Sequence, residues 1–319
     1  TMELIEGVAL SELCDYSFGD QSGQWGNIYT SFMKEANLLN TEFASKVFDV
    51  KQEREYMTLF VDNIRLYKRD IKEVKPQDKP YIDSLMETSD VLQLCNHYEG
   101  MKFIIFTNLE DTPIDEHIFN AIPWNVLCIA AINAESYGGK VVPAPYGVQR
   151  RMTPGDDHIE RLQSAMKTNI DPSHFKLLYV NHNDTSHEER LGIKDVFREC
   201  EWANVDEKRV DYYNFLLNLA QHKFIVCPRG NAIDCHRNWE VLYMRRVPIM
   251  LKKHSYLREL YKDYPVLWVD KFEDITGEML KENNHLYEQA KVMDLTPLTL
   301  KYFFDSIVFK ALKGDYAGQ

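Results

Sequence analysis

The stretch from His222 to Leu251 reads HKFIVCPRGNAIDCHRNWEVLYMRRVPIML, and the order of its residue types sets the fold. Phe224 to Cys227 is a short apolar run and predicts a buried strand. Pro228 to Cys235 is rich in turn formers and predicts a loop. A helix comes next, and Val247 to Leu251 predicts a second strand. A strand that feeds a glycine-containing loop and then a helix offers an anion unpaired backbone N–H groups and the positive end of a helix dipole. Arg229 and Arg237 flank that loop, and a guanidinium can hold phosphate oxygens with two parallel N–H groups. Glu240 lies three residues after Arg237, on the same helix face. A carboxylate repels phosphate, so Glu240 needs another partner, and the two hydroxyls of a ribose supply one. These pieces fit a nucleoside diphosphate carrying a sugar. They also fit an ordinary strand–loop–helix unit with a surface ion pair of little energetic weight, and the residues alone leave both readings open.

The segment CPRGNAIDCHRNWEVLYMRRVPIML resembles the signature of exostosin-like glycosyltransferases, glycosyltransferase family 47 with its bacterial and viral relatives. The matching positions are Cys227, Pro228, Arg229, Gly230, Arg237, Glu240, Val247, Pro248 and Ile249. The likeness continues over Tyr261 to Leu267 and, more loosely, back to Lys176. The resemblance implies an α/β chain of GT-B type, two Rossmann-like domains with parallel sheets facing a central cleft. The expected domains are 1–150 on the acceptor side and 151–319 on the nucleotide-sugar side, with a final helix, 296–313, that can cross back to the first. It implies donor binding by Arg229, Gly230, Asn231, Asp234, His236, Arg237 and Glu240. Asn181 and Arg190 join them, because Asn181, Glu189 and Arg190 match an Asn…Glu-Arg pattern of the family, although its Thr-Asn pair is not present. The same resemblance implies an inverting hexosyl- or pentosyltransferase that uses a UDP-sugar donor and a glycan acceptor. No cofactor and no essential metal are expected, since positive side chains would carry the leaving diphosphate.

The length of 319 residues suits two domains, and 45% hydrophobic with 12% aromatic residues suffices for two cores. A formal net charge of -12 argues against non-specific nucleic-acid binding. Six cysteines without a CxxC pair read as reduced, packed thiols. Val126 to Ile132, the longest apolar stretch, is too short to span a membrane. A cytoplasmic enzyme of viral or bacterial type is therefore expected, unless a membrane anchor precedes these residues.

The catalytic base is sought among carboxylates that come after strands or border loops of the first domain. Residues 3–30 read as an irregular entry and a Gly/Asp/Ser loop containing Asp15 and Asp20, before a helix from about Asn27 to Phe48. Lys102 to Thr107 predicts a buried strand that runs into Asn108 and Asp111. This loop resembles a His-Asn-Ser-Asp segment of the family, with Asn108 in place of its His. Asp111 is the first candidate base and Asp20 the second. As alternatives, Asp20 serves a turn and Asp111 caps a helix after Pro113. Val141 to Val148 closes the first domain, and Gln149 to Gly155 reads as the linker. Helices are expected over Tyr81–Tyr98, Asp156–Thr168 and Val210–Gln221, and Thr296 is expected to cap the final helix. His182 and His187 lack a third ligand at useful spacing for a metal. Two further readings stay open. One is a nucleotide- or glycan-binding protein without transferase activity. The other, weaker, is a hydrolase using Cys235 or His236, whose adjacency in sequence does not bring nucleophile and base together.

Overall fold

The computed structural model describes residues 2–18, 42–66, 91–109, 111–150, 152–153 and 156–317. Contacts divide the chain into two units. One is Ile5–Pro145 with Leu300–Gln319, and the other is Tyr146–Thr299 with Thr1–Leu4.

The first unit carries a parallel sheet of β1 (Tyr16–Ser17), β2 (Tyr56–Val61), β3 (Lys102–Thr107), β4 (Val126–Ala131) and β5 (Val141–Pro143), side by side in chain order. Runs such as KFIIFT and VLCIAA are apolar on both faces, which suits strands covered on both sides. One side of the sheet is covered by the last helix, Leu300–Lys313. Leu300, Ile307 and Ala311 are buried in the same cluster as Phe60, Ile104, Phe106 and Ala130, and Phe304 stacks on Phe106 at 4.8 Å.

The second unit carries β8 (Leu178–Val180), β9 (Ala203–Val205), β10 (Phe224–Val226), β11 (Val247–Leu251) and β12 (Leu267–Val269), after a small antiparallel pair, β6 (Met152–Thr153) and β7 (Asp156–Asp157). Its five strands are parallel in the order β12-β11-β10-β8-β9. The chain moves outward from β8 to β9, then returns to the other flank of β8 with β10. Loops leaving β8 and β10 therefore diverge, and a crevice opens at the carboxyl ends of those strands. The first sheet has no such reversal among its described strands. The fold is thus α/β with two Rossmann-like units, the domain type of which GT-B chains have two.

Several local expectations change. The entry segment is not irregular: Gly7–Leu13 is a helix, capped by Glu6, whose carboxylate accepts from Val8 N (2.8 Å) and Ala9 N (2.7 Å). A glutamate cap and a seven-residue length leave little periodic signal. The helix expected to end at Phe48 runs over Glu42–Lys51, and that expected over Tyr81–Tyr98 is seen as Val91–His97. Their earlier parts, and Asp20, lie outside the described residues. Thr296 does not cap the last helix, because Thr296–Leu298 is a separate 3-10 turn. Asp111 caps no helix: the next one is the 3-10 turn Glu116–Ala121, and the Asp111 carbonyl accepts from Asn133 Nδ2 at 2.8 Å. Asp157 instead caps the helix His158–Ala165, accepting from Ile159 N and Glu160 N. No helix among the described residues is long and apolar enough to cross a membrane.

Candidate functional site

At the carboxyl ends of β8 and β9, within the second unit, lies a cleft of about 840 Å³. Its lining includes Asn181, His182, Tyr212, Phe215, Arg237 and Glu240. The volume is in the range of ligand pockets for molecules of nucleotide size. It is lined by the segments that leave β8 and β9 and by the helix that follows β10, beside the reversal of strand order between β8 and β10.

Arg237 and Glu240 reach this cleft from the helix His236–Tyr243, which begins directly after the loop that leaves β10. Glu240 is 6% exposed, and its Oε1 accepts from the Tyr212 hydroxyl at 3.1 Å. Burial pushes the Glu240 carboxyl above the usual carboxylate range, while Arg237 and the Tyr212 hydroxyl oppose that shift. Tyr212 is fixed from its other side by His158, whose ring stacks on it at 3.8 Å and 9°. The Arg237 guanidinium lies over the Phe215 ring at 5.0 Å. Its Nη2 is 3.5 Å from Asn181 Oδ1, and its Nη1 is buried with no hydrogen-bond partner among the described residues. Asn181 is itself held by Asp206, which accepts from Asn181 Nδ2 at 2.5 Å and from the Tyr179 hydroxyl.

The loop behind these residues is a framework. Asp234 is buried and accepts five hydrogen bonds. The donors are Tyr146 N (3.0 Å), Cys235 N (3.0 Å), Asn238 Nδ2 (3.1 Å), Trp239 Nε1 (2.8 Å) and the Tyr261 hydroxyl (2.6 Å). Burial pushes its carboxyl up, and these donors work in the opposite direction. Arg190 is also buried and braces the loop: it donates to Arg229 O at 2.6 Å, Asn183 O at 2.9 Å and Pro228 O at 3.4 Å. Glu189 beside it pairs with Lys253 Nζ at 2.5 Å and His254 Nε2 at 3.2 Å, tying this turn to the segment after β11. His236 Nδ1 donates to Gly147 O at 2.8 Å.

Of the residues expected to bind the donor, the structure brings Asn181, Arg237 and Glu240 together at one cleft. The others make their hydrogen bonds within the loop and to the segments around it. The polar groups of Asp234 and Arg190 are turned to the loop itself, and His236 anchors Gly147. Arg229 folds back on its own loop, donating to Gly230 O (3.3 Å) and Asn231 O (3.1 Å), and Asn231 is exposed. The Gly230 N–H, expected to face an anion, is turned inward to Ala232 O (3.1 Å) and Cys235 Sγ (3.0 Å). Asp111 belongs to the first unit, four residues past the end of β3.

Sequence reasoning missed Tyr212, His158 and Asp206. Tyr212 carried one usable signal, since Asp211 caps its helix by accepting from Asn214 N at 3.1 Å. No group of three or more His, Cys, Asp or Glu able to hold a metal ion is present among the described residues.

No family model matches the chain, and no curated protein matches it. Solved structures that match include the crystal structure of an alpha1,3-fucosyltransferase, at 11% identity, covering 95% of this chain and 91% of that one, with a TM-score of 0.40.

Proposed function

We propose that this chain is a glycosyltransferase that moves a sugar from a nucleoside diphosphate donor to a glycan hydroxyl. The observation that carries the reading is the Arg237–Glu240 pair, a cation with an N–H unpartnered among the described residues and a buried carboxylate on one helix face, at the cleft beside the reversal of strand order. Arg237 takes the diphosphate, and Glu240 accepts from ribose hydroxyls, which are donors. The motif resemblance over Cys227 to Ile249 extends this from nucleotide binding to sugar transfer, and to UDP as the nucleotide.

In the reaction, the acceptor oxygen forms a bond to the anomeric carbon from the face opposite the leaving group. The bond from that carbon to the diphosphate oxygen breaks, and its electron pair leaves with the diphosphate. Configuration inverts. The acceptor proton passes to a carboxylate, for which Asp111 is the first candidate and Asp20 the second. Arg237 stabilises the charge that grows on the leaving group. No essential metal enters this scheme. Hexoses and pentoses both fit it.

The test is turnover. Release of nucleoside diphosphate is monitored with a panel of nucleotide sugars and glycan acceptors, with and without EDTA. The expected result is release from at least one UDP-sugar, unchanged by EDTA, with an inverted anomer by NMR. Asp111→Asn is expected to lower kcat by about a hundredfold or more with donor affinity kept. Tight donor binding without turnover on any acceptor would replace this reading by a nucleotide-binding protein.

A further inference from the structure

His182 comes directly after Asn181 at the end of β8 and lines the same cleft, yet the donor-site reading gives it no task. Its side chain is 0% exposed. Its Nε2 faces the Arg190 carbonyl at 3.3 Å, with Asp184 Oδ1 also 3.3 Å away. Both neighbours are acceptors, so Nε2 carries the ring proton. Burial, together with the charges of Arg237, Arg190 and Lys194, keeps the ring neutral, with its pKa lowered to about 3. The other nitrogen, Nδ1, is then a bare acceptor, and it is buried with no hydrogen-bond partner among the described residues. The same cleft holds the opposite case in Arg237 Nη1, a buried donor with no acceptor among them.

A buried polar atom without a partner is costly, and the residues lining this cleft hold three: the acceptors His182 Nδ1 and Asp184 Oδ1 and the donor Arg237 Nη1. A phosphate oxygen accepts from Arg237 but has no proton to give His182 or Asp184. A hydroxyl donates, and the rings of a nucleotide sugar carry several.

We propose that His182 Nδ1 accepts a hydrogen bond from a sugar hydroxyl of the bound nucleotide sugar, while Arg237 serves the diphosphate. His182 is thereby a specificity residue that favours hydroxyl-bearing over deoxy ligands. The inference rests on the nucleotide-sugar reading and adds a residue to it. Two rings can supply the hydroxyl, the ribose or the transferred sugar, and ligand pairs separate them.

Titration calorimetry on the full chain compares UDP, GDP, ADP and CDP first. The tightest is then compared with its 2′-deoxy and 3′-deoxy forms and with its hexose conjugates. Each is run on the wild type, His182→Phe and His182→Asn. Asn keeps an acceptor near the Nδ1 position, whereas Phe fills the space and removes it. The expected result is that the wild type prefers the hydroxyl form by about tenfold at one ribose position, the worth of one neutral hydrogen bond. Phe abolishes that preference without weakening the matching deoxy form, and Asn retains much of it. If Phe weakens only the hexose conjugate, by a similar factor, the hydroxyl belongs to the transferred sugar. Preferences that survive in His182→Phe, or a loss equal for hydroxyl and deoxy forms, overturn the assignment while leaving the nucleotide site standing. If no nucleoside diphosphate or conjugate binds the wild type, the nucleotide reading falls, and this inference with it.

Discussion

At the scale of the residue, the site separates groups that touch the cleft from groups that hold the loop. Asp234 is the clearest of the second kind. Its Oδ2 accepts from Tyr146 N and Trp239 Nε1, and its Oδ1 from Cys235 N, Asn238 and Tyr261. Asp234→Ala leaves those donors buried and unmatched, and a loss of about 3 kcal/mol or more is expected by urea unfolding. Asp234→Asn places an NH2 group against N–H donors on one side, so it rescues little. His182 gives a prediction in pH. Its folded pKa, about 3, lies below the unfolded value near ~6.5. The unfolded chain therefore binds the extra proton first, and stability falls as pH drops through that window, by up to about 1.4 kcal/mol per pH unit. His182→Phe should lose this component, so its melting temperature falls less than the wild type's between pH 6.5 and pH 4. An equal fall in both proteins would mean that the ring is not held neutral. Arg237 and Glu240 were legible in sequence because charge and i,i+3 spacing are local properties. The contacts of Asp234 were not legible, because nothing local reveals that Tyr146 and Tyr261 converge on it from 88 and 27 residues away.

At the scale of the element, the turn Glu188–Arg190 acts as a strut under the loop after β10. Arg190 meets three carbonyls on two chain segments, Arg229 O, Pro228 O and Asn183 O. A lysine has one nitrogen and cannot span them. Hydrogen exchange should therefore show lower protection of the Gly230 amide in both Arg190→Ala and Arg190→Lys, and nucleotide affinity should fall in both. If Lys restores both, Arg190 contributes charge rather than bracing. The strands were the readable elements: Lys102–Thr107 and Val247–Leu251 appear with the bounds their apolar runs imply. Short helices were less readable. Gly7–Leu13 depends on its packing beside the final helix, and the break at Thr299 depends on backbone geometry that a Thr-Pro start does not disclose.

At the scale of the whole molecule, both units use parallel sheets, and only the second shows a reversal of strand order among its described strands. Strand type was readable from apolar runs, whereas strand order is set by crossovers that no local pattern encodes. The final helix contributes Ile307 to the core of the first unit, while the cleft residues all lie in Tyr146–Thr299. Ile307→Ala should therefore destabilise the first unit by about 2–4 kcal/mol in urea unfolding, with nucleotide affinity at 25 °C unchanged. A parallel loss of affinity would tie that helix to the nucleotide site.

The central claim is that the cleft beside Arg237 and Glu240 holds a nucleoside diphosphate sugar. Titration calorimetry of UDP and UDP-sugars in EDTA tests it most directly, on the wild type, Arg237→Ala and Glu240→Ala, with folding checked by circular dichroism. The account predicts saturable binding to the wild type and a loss of at least about tenfold in each variant, the worth of a charged hydrogen bond. Binding that persists undiminished in both variants, or none to the wild type, would contradict it.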